Sequence, residues 1–182
     1  MTSVTPAATL DLPPGARLVA LEAHADARGD FTELFREAWA IGKPPVQWNM
    51  VRSRPNVIRG IHVHPDHEDY LIILTGRMHL WLHDLRPESP VRARTIDLTL
   101  DGASPTAIIV PTGVAHGFHL PVESIYIYAM STYWDLSKDI GCHWSVPEIG
   151  MIAPEDGLLS ARDAAAGGYA EMLGAYLDLR KG

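Results

Sequence analysis

Residues 59–76 read RGIHVHPDHEDYLIILTG, and the choice of fold turns on them. Alternate residues of a β-strand share a face. Written as a strand, the first part sends His62 and His64 to one side and Ile61 and Val63 to the other. PDHED is a loop, Tyr70–Thr75 is an apolar strand, and Gly76 is a turn. Two histidines on one strand face belong to a catalytic site or a metal site, or are merely satisfied or solvent-facing. The later stretch PTGVAHGFH (111–119) adds His116 and favours a site.

Working outward, the same rhythm of short strands and turns recurs. RLVALEA (17–23) is an apolar strand, and DARGD is a turn with Gly29 suited to a positive φ. FTELFRE (31–37) reads as a strand leading into one helical turn around Glu37–Ile41. VQWNMVRS (46–53) and VIRGIHVH (57–64) are strands. Arg77–Asp84, VRARTIDLTL (91–100) and TAIIVP (106–111) follow, then a short loop, TGVAHG. SIYIYAMSTYW (124–134) is the strongest strand by composition, with Tyr126, Tyr128, Met130 and Thr132 on one face. Strands at this spacing predict an all-β sandwich or barrel.

The C-terminal part changes character. SARDAAAGGYAEMLGAYLDL is alanine-rich with helical spacing, so short helices are expected after Ser160, interrupted near Gly167 and Gly168. Ser160 is a candidate N-cap, with Asp163 three residues on. Residues 1–14 read as a loose N-terminal arm, and 15–182 as a single domain.

Composition excludes several classes. The net charge is −7 with no basic block, which argues against a nucleic-acid or anionic-membrane binder. No apolar run approaches a membrane span, and the N-terminus lacks the basic and apolar parts of a signal peptide, so a cytoplasmic location is expected. The lone Cys142 cannot form an intrachain disulfide and reads as buried filler. His67 and His119 read as loop or surface histidines.

Two chemistries suit the histidines. In the first, a histidine oriented by a carboxylate removes a proton next to a carbonyl, and an acid on the opposite side returns one. His62, one of several carboxylates and a tyrosine of 124–134 could supply these groups. In the second, His62, His64, Glu68 and His116 hold a metal such as Fe, Mn, Ni or Zn, as in a metal-dependent dioxygenase or isomerase. Spacing alone does not choose between them.

Seven segments in order resemble one family: RGDFTELF, QWNMVRS, RGIHVH, DLRPESP, PTGVAHGF, YAMSTYW and LLSARD are similar to motifs of the dTDP-4-dehydrorhamnose 3,5-epimerases. The resemblance runs from about Asp26 to Asp163. It implies a cupin-type jelly-roll barrel working as a homodimer, with no cofactor or metal and with a nucleotide-linked 4-keto-hexose as substrate. By resemblance His62 is the base, Asp163 the carboxylate that orients it, and Tyr128 the acid on the opposite face. Arg59 would contact the diphosphate; Gln47, Asn49 and His116 would line the pocket. Arg28 and Glu33 would contact the nucleotide across the dimer, and Tyr133 and Trp134 match two aromatic positions. Two pocket positions depart from the family: its glutamine two after the base is His64, and its enolate-stabilising lysine is Asp69. Single-carbon epimerisation, another nucleotide sugar, and a sugar-binding barrel without chemistry all remain readings of those departures.

Overall fold

The strands fall where period-two patterning puts them. In the computed structural model, which describes residues 11–180, they are β1 Arg17–Ala20, β2 Ala23–Asp26, β3 Gly29–Thr32, β4 Gln47–Ser53, β5 Val57–Val63 and β6 Asp69–Thr75. They continue as β7 Arg77–Asp84, β8 Thr95–Asp101, β9 Thr106–Val110, β10 Val114–Leu120, β11 Ser124–Met130 and β12 Ile140–Gly141. Helices α1 (Ala161–Ala164) and α2 (Tyr169–Leu179) close the chain. Most of the expected N-terminal arm, residues 1–10, lies outside the described residues. Among the described residues no helix is long and apolar enough to cross a membrane.

The expected all-β jelly roll takes the form of two five-stranded antiparallel sheets that face each other without closing. One has the order β1-β9-β6-β11-β4 and the other β12-β5-β10-β7-β8; β2 and β3 form a separate hairpin. Leu71 and Ile73 of the first sheet pack with Leu80, Leu82 and Phe118 of the second in one buried cluster. A second cluster lies outside: Ile61 and Val63 of β5 pack against Met172 and Tyr176 of α2. Burying those alternate side chains under α2 forces His62 and His64 towards the space between the sheets.

Three expectations shift at their edges. Val114–Gly117, read from sequence as a loop, opens β10, because Val114 and Ala115 are buried and His116 pairs with Leu82 and His62. Val91–Arg94, read as strand, is a turn in which Ala93 takes a left-handed φ of 60°. The strand expected from Phe31 ends at Thr32, ahead of a 3-10 turn at Glu37–Trp39. The C-terminal reading stands: Asp163 N–H donates to the Ser160 hydroxyl at 3.0 Å, and Gly168 caps α2.

Gly60 matters to the site. Its φ is +95°, and an added Cβ would lie 2.7 Å from the His116 carbonyl and 2.8 Å from Gly117 Cα. A side chain there would push β5 away from β10 beside the histidines.

Asp84 anchors the loop after β7. Its fully buried carboxylate accepts from Arg86 Nη2 at 2.6 Å, Ser89 Oγ at 2.7 Å and Arg86 N–H at 3.0 Å. Burial alone would raise its pKa, but these donors overcome it and hold the carboxyl below the usual range. Asp84→Ala leaves the guanidinium poorly paired and is expected to cost about 3 kcal/mol in chemical denaturation. The native carboxyl titrates below the unfolded value of about 3.9. Its contribution is therefore complete above that pH and lost as pH falls through the lower native value, so the wild type's advantage over the variant should shrink below about pH 4.

Candidate active site

A cavity of about 310 Å³ opens between the two sheets. The first sheet contributes Asp69 and Leu71 of β6 and Tyr126, Tyr128 and Met130 of β11. The second contributes Arg59 and His62 of β5 and His116 and Phe118 of β10. His64 lies just beyond β5, and Asp163 reaches in from α1.

His62 Nε2 lies 2.8 Å from Asp163 Oδ1, across 101 residues of sequence. The Ser160 cap that starts α1 also points Asp163 at β5. Asp163 is 6% exposed. Burial opposes its ionisation, but the hydrogen bond and charge of His62, with the cap and Arg162, hold it below the usual carboxylate range. A buried carboxylate on one imidazole nitrogen fixes the ring and its tautomer, leaving Nδ1 as the other basic atom. Tyr128 stands on the opposite sheet and pairs across strands with Leu71 and Asn49. Burial first, then the Asp69 carboxyl, raises its pKa, so it keeps its proton at neutral pH.

Asp69 sits among histidines. His64 Nε2 and His116 Nε2 each lie 3.3 Å from Asp69 Oδ2, and His67 Nε2 lies 3.7 Å from Oδ1. The rings of His64 and His67 stack with centroids 4.2 Å apart. Burial pushes His116 down to about 4, and burial with the neighbouring histidines pushes His64 well below its ordinary value. Burial, with Asp139 adding, pushes Asp69 up to about 8. Two neutral imidazoles, those of His64 and His116, thus flank a carboxyl that is itself protonated at neutral pH.

His67 departs from its expectation: it is 4% exposed and belongs to this cluster, because Asp66 takes its Nδ1 at 3.0 Å and turns the ring inward. His119 is also buried, with Nε2 3.1 Å from Asn56 Oδ1. Glu68 does not join the histidines. Its carboxylate accepts from Lys43 N–H at 2.9 Å, on the far side of the sheet, because period two turns it opposite to Asp69. With His62 tied to Asp163 as well, the four-residue metal set His62, His64, Glu68 and His116 is not assembled.

The other expected binding residues divide. Arg59 lines the cavity, with Nη2 3.4 Å from Ser53 Oγ and a buried Nε that has no partner. Gln47 and Asn49 lie next to each other on β4, 3.3 Å apart, outside the cavity lining; Gln47 accepts from Trp134 N–H at 3.0 Å. Arg28 and Glu33 are on or just after the β2–β3 hairpin, paired locally with Asp26 and Arg36 and away from this cavity. Tyr133 is exposed, whereas Trp134 lines the cavity.

Sequence reasoning missed Asp139 and Arg162. Arg162 bonds Asp139 through Oδ2 and the carbonyl, and Trp134 Nε1 donates to the same oxygen at 3.2 Å. Burial opposes ionisation of Asp139, but the Arg162 and Trp134 bonds and the His62 charge hold it at about 2. Asp139 Oδ1 is buried without a partner. Nothing in the spacing connects Asp139 to Arg162; only adjacency to Asp163 marked the latter.

Residues 11–171 match the dTDP-4-dehydrorhamnose 3,5-epimerase family. The chain is 30% identical over 141 residues to spore coat polysaccharide biosynthesis protein SpsL of Bacillus subtilis, covering 75% of this chain and 93% of that protein. It is 31% identical to a Streptomyces griseus dTDP-4-dehydrorhamnose 3,5-epimerase, covering 87% of this chain and 84% of the relative. Among solved structures, a 4-keto-6-deoxy sugar epimerase from the novobiocin gene cluster of Streptomyces spheroides superposes with a TM-score of 0.82. That pair is 28% identical and covers 98% of this chain and 92% of the other.

Proposed function

The chain belongs to the dTDP-4-dehydrorhamnose 3,5-epimerase family and is an isomerase of the epimerase type, and from that premise we propose that it inverts C3, C5 or both in a nucleoside diphosphate-linked 4-keto-6-deoxyhexose. The observation that carries this reading is the 2.8 Å contact between His62 and Asp163 on one wall of a cavity whose other wall bears Tyr128.

The chemistry follows from the 4-keto group, which acidifies the C–H bonds at C3 and C5. His62 Nδ1 takes one of these protons and the electron pair moves onto the keto oxygen as an enolate. Asp163 holds the imidazole and offsets the charge it gains. Tyr128 then delivers its proton to the same carbon from the opposite face, and the carbonyl re-forms. The histidine has gained one proton and the tyrosine lost one; exchange with water resets both. Arg59, near the Tyr126 face and with a free Nε, is positioned for the diphosphate.

The working unit in this reading is a cytoplasmic homodimer. Trp48 and Met50 on the edge strand β4 and Phe31 on the hairpin are exposed apolar side chains, which suits a covered face. Arg28 and Glu33, which do not reach this cavity, would then contact the nucleotide in a neighbour's.

The test is solvent exchange. The protein in D₂O with dTDP-4-keto-6-deoxyglucose, and with its UDP, GDP and CDP counterparts, should introduce deuterium at C3, C5 or both, read by proton NMR. Folded protein that labels neither carbon of any of them rejects the proposal.

A further inference from the structure

The cluster around Asp69 is not used by the His62–Asp163–Tyr128 chemistry. It is nevertheless built: three imidazole Nε2 atoms converge on one buried carboxylate. A carboxyl in such a place is either kept protonated or balanced by a cation. We propose that His64, His67 and Asp69 form a binding site for a divalent transition-metal ion of the zinc or cobalt kind, at the edge of the cavity where β5 ends and β6 begins.

Four observations converge. The ligand atoms of these three residues lie within 4.8 Å of one another. The His64–Asp69 and His67–Asp69 separations are 3.3 and 3.7 Å. An ion with bonds of about 2.0–2.1 Å to tetrahedrally arranged ligands holds neighbouring ligand atoms about 3.3 Å apart, so only small side-chain movements are needed. His67 Nε2, the nitrogen that faces Asp69, is buried with no hydrogen-bond partner, which is costly for a polar atom and natural for a ligand awaiting an ion. Last, the outer partners are those that orient metal ligands. Asp66 holds His67 Nδ1 at 3.0 Å and is itself held by Lys138 at 2.8 Å. His116 Nε2 lies 3.3 Å from Asp69 Oδ2 and steadies the carboxylate.

Two imidazoles and a carboxylate form a set that ions of this class use when one position stays open. His64 and Asp69 line the cavity, so an ion held by them would be reached from it. The site stands whether or not the sugar reading does, since it is defined by binding alone.

The experiment is a Co²⁺ titration of the full chain after chelator treatment and its removal. The wild type should bind one Co²⁺ per chain with a visible ligand-field band. His67→Ala and Asp69→Asn should lose the band, while Glu68→Gln and His62→Asn should keep it. Asp66→Asn, a milder change outside the ligand set, should weaken Co²⁺ binding roughly 10- to 100-fold. Circular dichroism of each variant separates loss of the site from loss of the fold. No band in the folded wild type overturns the proposal, as does a band that survives His67→Ala or disappears in Glu68→Gln.

Discussion

His62→Asn is expected to abolish deuterium incorporation at every carbon of the sugar, lowering the rate by at least about 10³-fold, near the upper part of what a positioned base supplies. That corresponds to about 4 kcal/mol of barrier at 1.36 kcal/mol per tenfold. Asparagine suits this test because it is polar, matches the imidazole as far as the atoms bonded to Cγ, and removes both basic ring nitrogens, including the Nε2 that sits 2.8 Å from Asp163 Oδ1. Ser160 and Arg162 remain beside the Asp163 carboxylate, so the fold should be kept while the basic atom is gone. Washout of the C3 and C5 protons in D₂O, measured alongside thermal unfolding, checks it. A folded His62→Asn protein that retains even a tenth of wild-type exchange would show that another group takes the proton, and the neighbouring His116, which pairs with His62 across β5 and β10, would be next to replace.

The reading of residues 59–76 illustrates what local pattern can and cannot carry. Period two sorted His62 and His64 from Ile61 and Val63 correctly, because the burial of the apolar pair under α2 is a property of the strand itself. The N-cap at Ser160 was legible for the same reason: capping is chemistry between residues three apart. The His62–Asp163 pair was a different case. His62 and Asp163 are 101 residues apart, and only the ordered family motifs, not spacing, joined them before the structure did. His67 was visible as a histidine of this stretch but read as a loop or surface residue, and nothing flagged Asp139. His67 is turned inward by Asp66 and Lys138, and Asp139 is captured by Arg162 and Trp134, contacts that require the packed loops. Glu68 shows the opposite failure: its residue type suited a metal, yet its place on the pleat, one residue from Asp69, put it on the wrong side of the sheet.

Tyr128→Phe should separate the two halves of the reaction. Inversion is expected to fall by about 10²- to 10³-fold, within the range for loss of a positioned proton donor, while solvent exchange at the same carbon persists. The ring packs within the first sheet beside Tyr126, their centroids 6.3 Å apart, and phenylalanine preserves that contact. What disappears is a phenol whose pKa burial raises, a group that holds its proton until a developing carbanion takes it. With the donor gone, His62 still removes the proton and can return a solvent-derived deuteron to the same face. The expected product is labelled sugar of unchanged configuration. Two-dimensional NMR resolves configuration and isotope at C3 and C5 in one sample, so the ratio of labelling to inversion is read directly. A ratio that rises well above the wild-type value places Tyr128 at protonation. If labelling and inversion fall together, Tyr128 acts before the carbanion forms, and the donor must be sought among the other groups on the first sheet's wall, where Asp69 and Tyr126 both carry a proton at neutral pH.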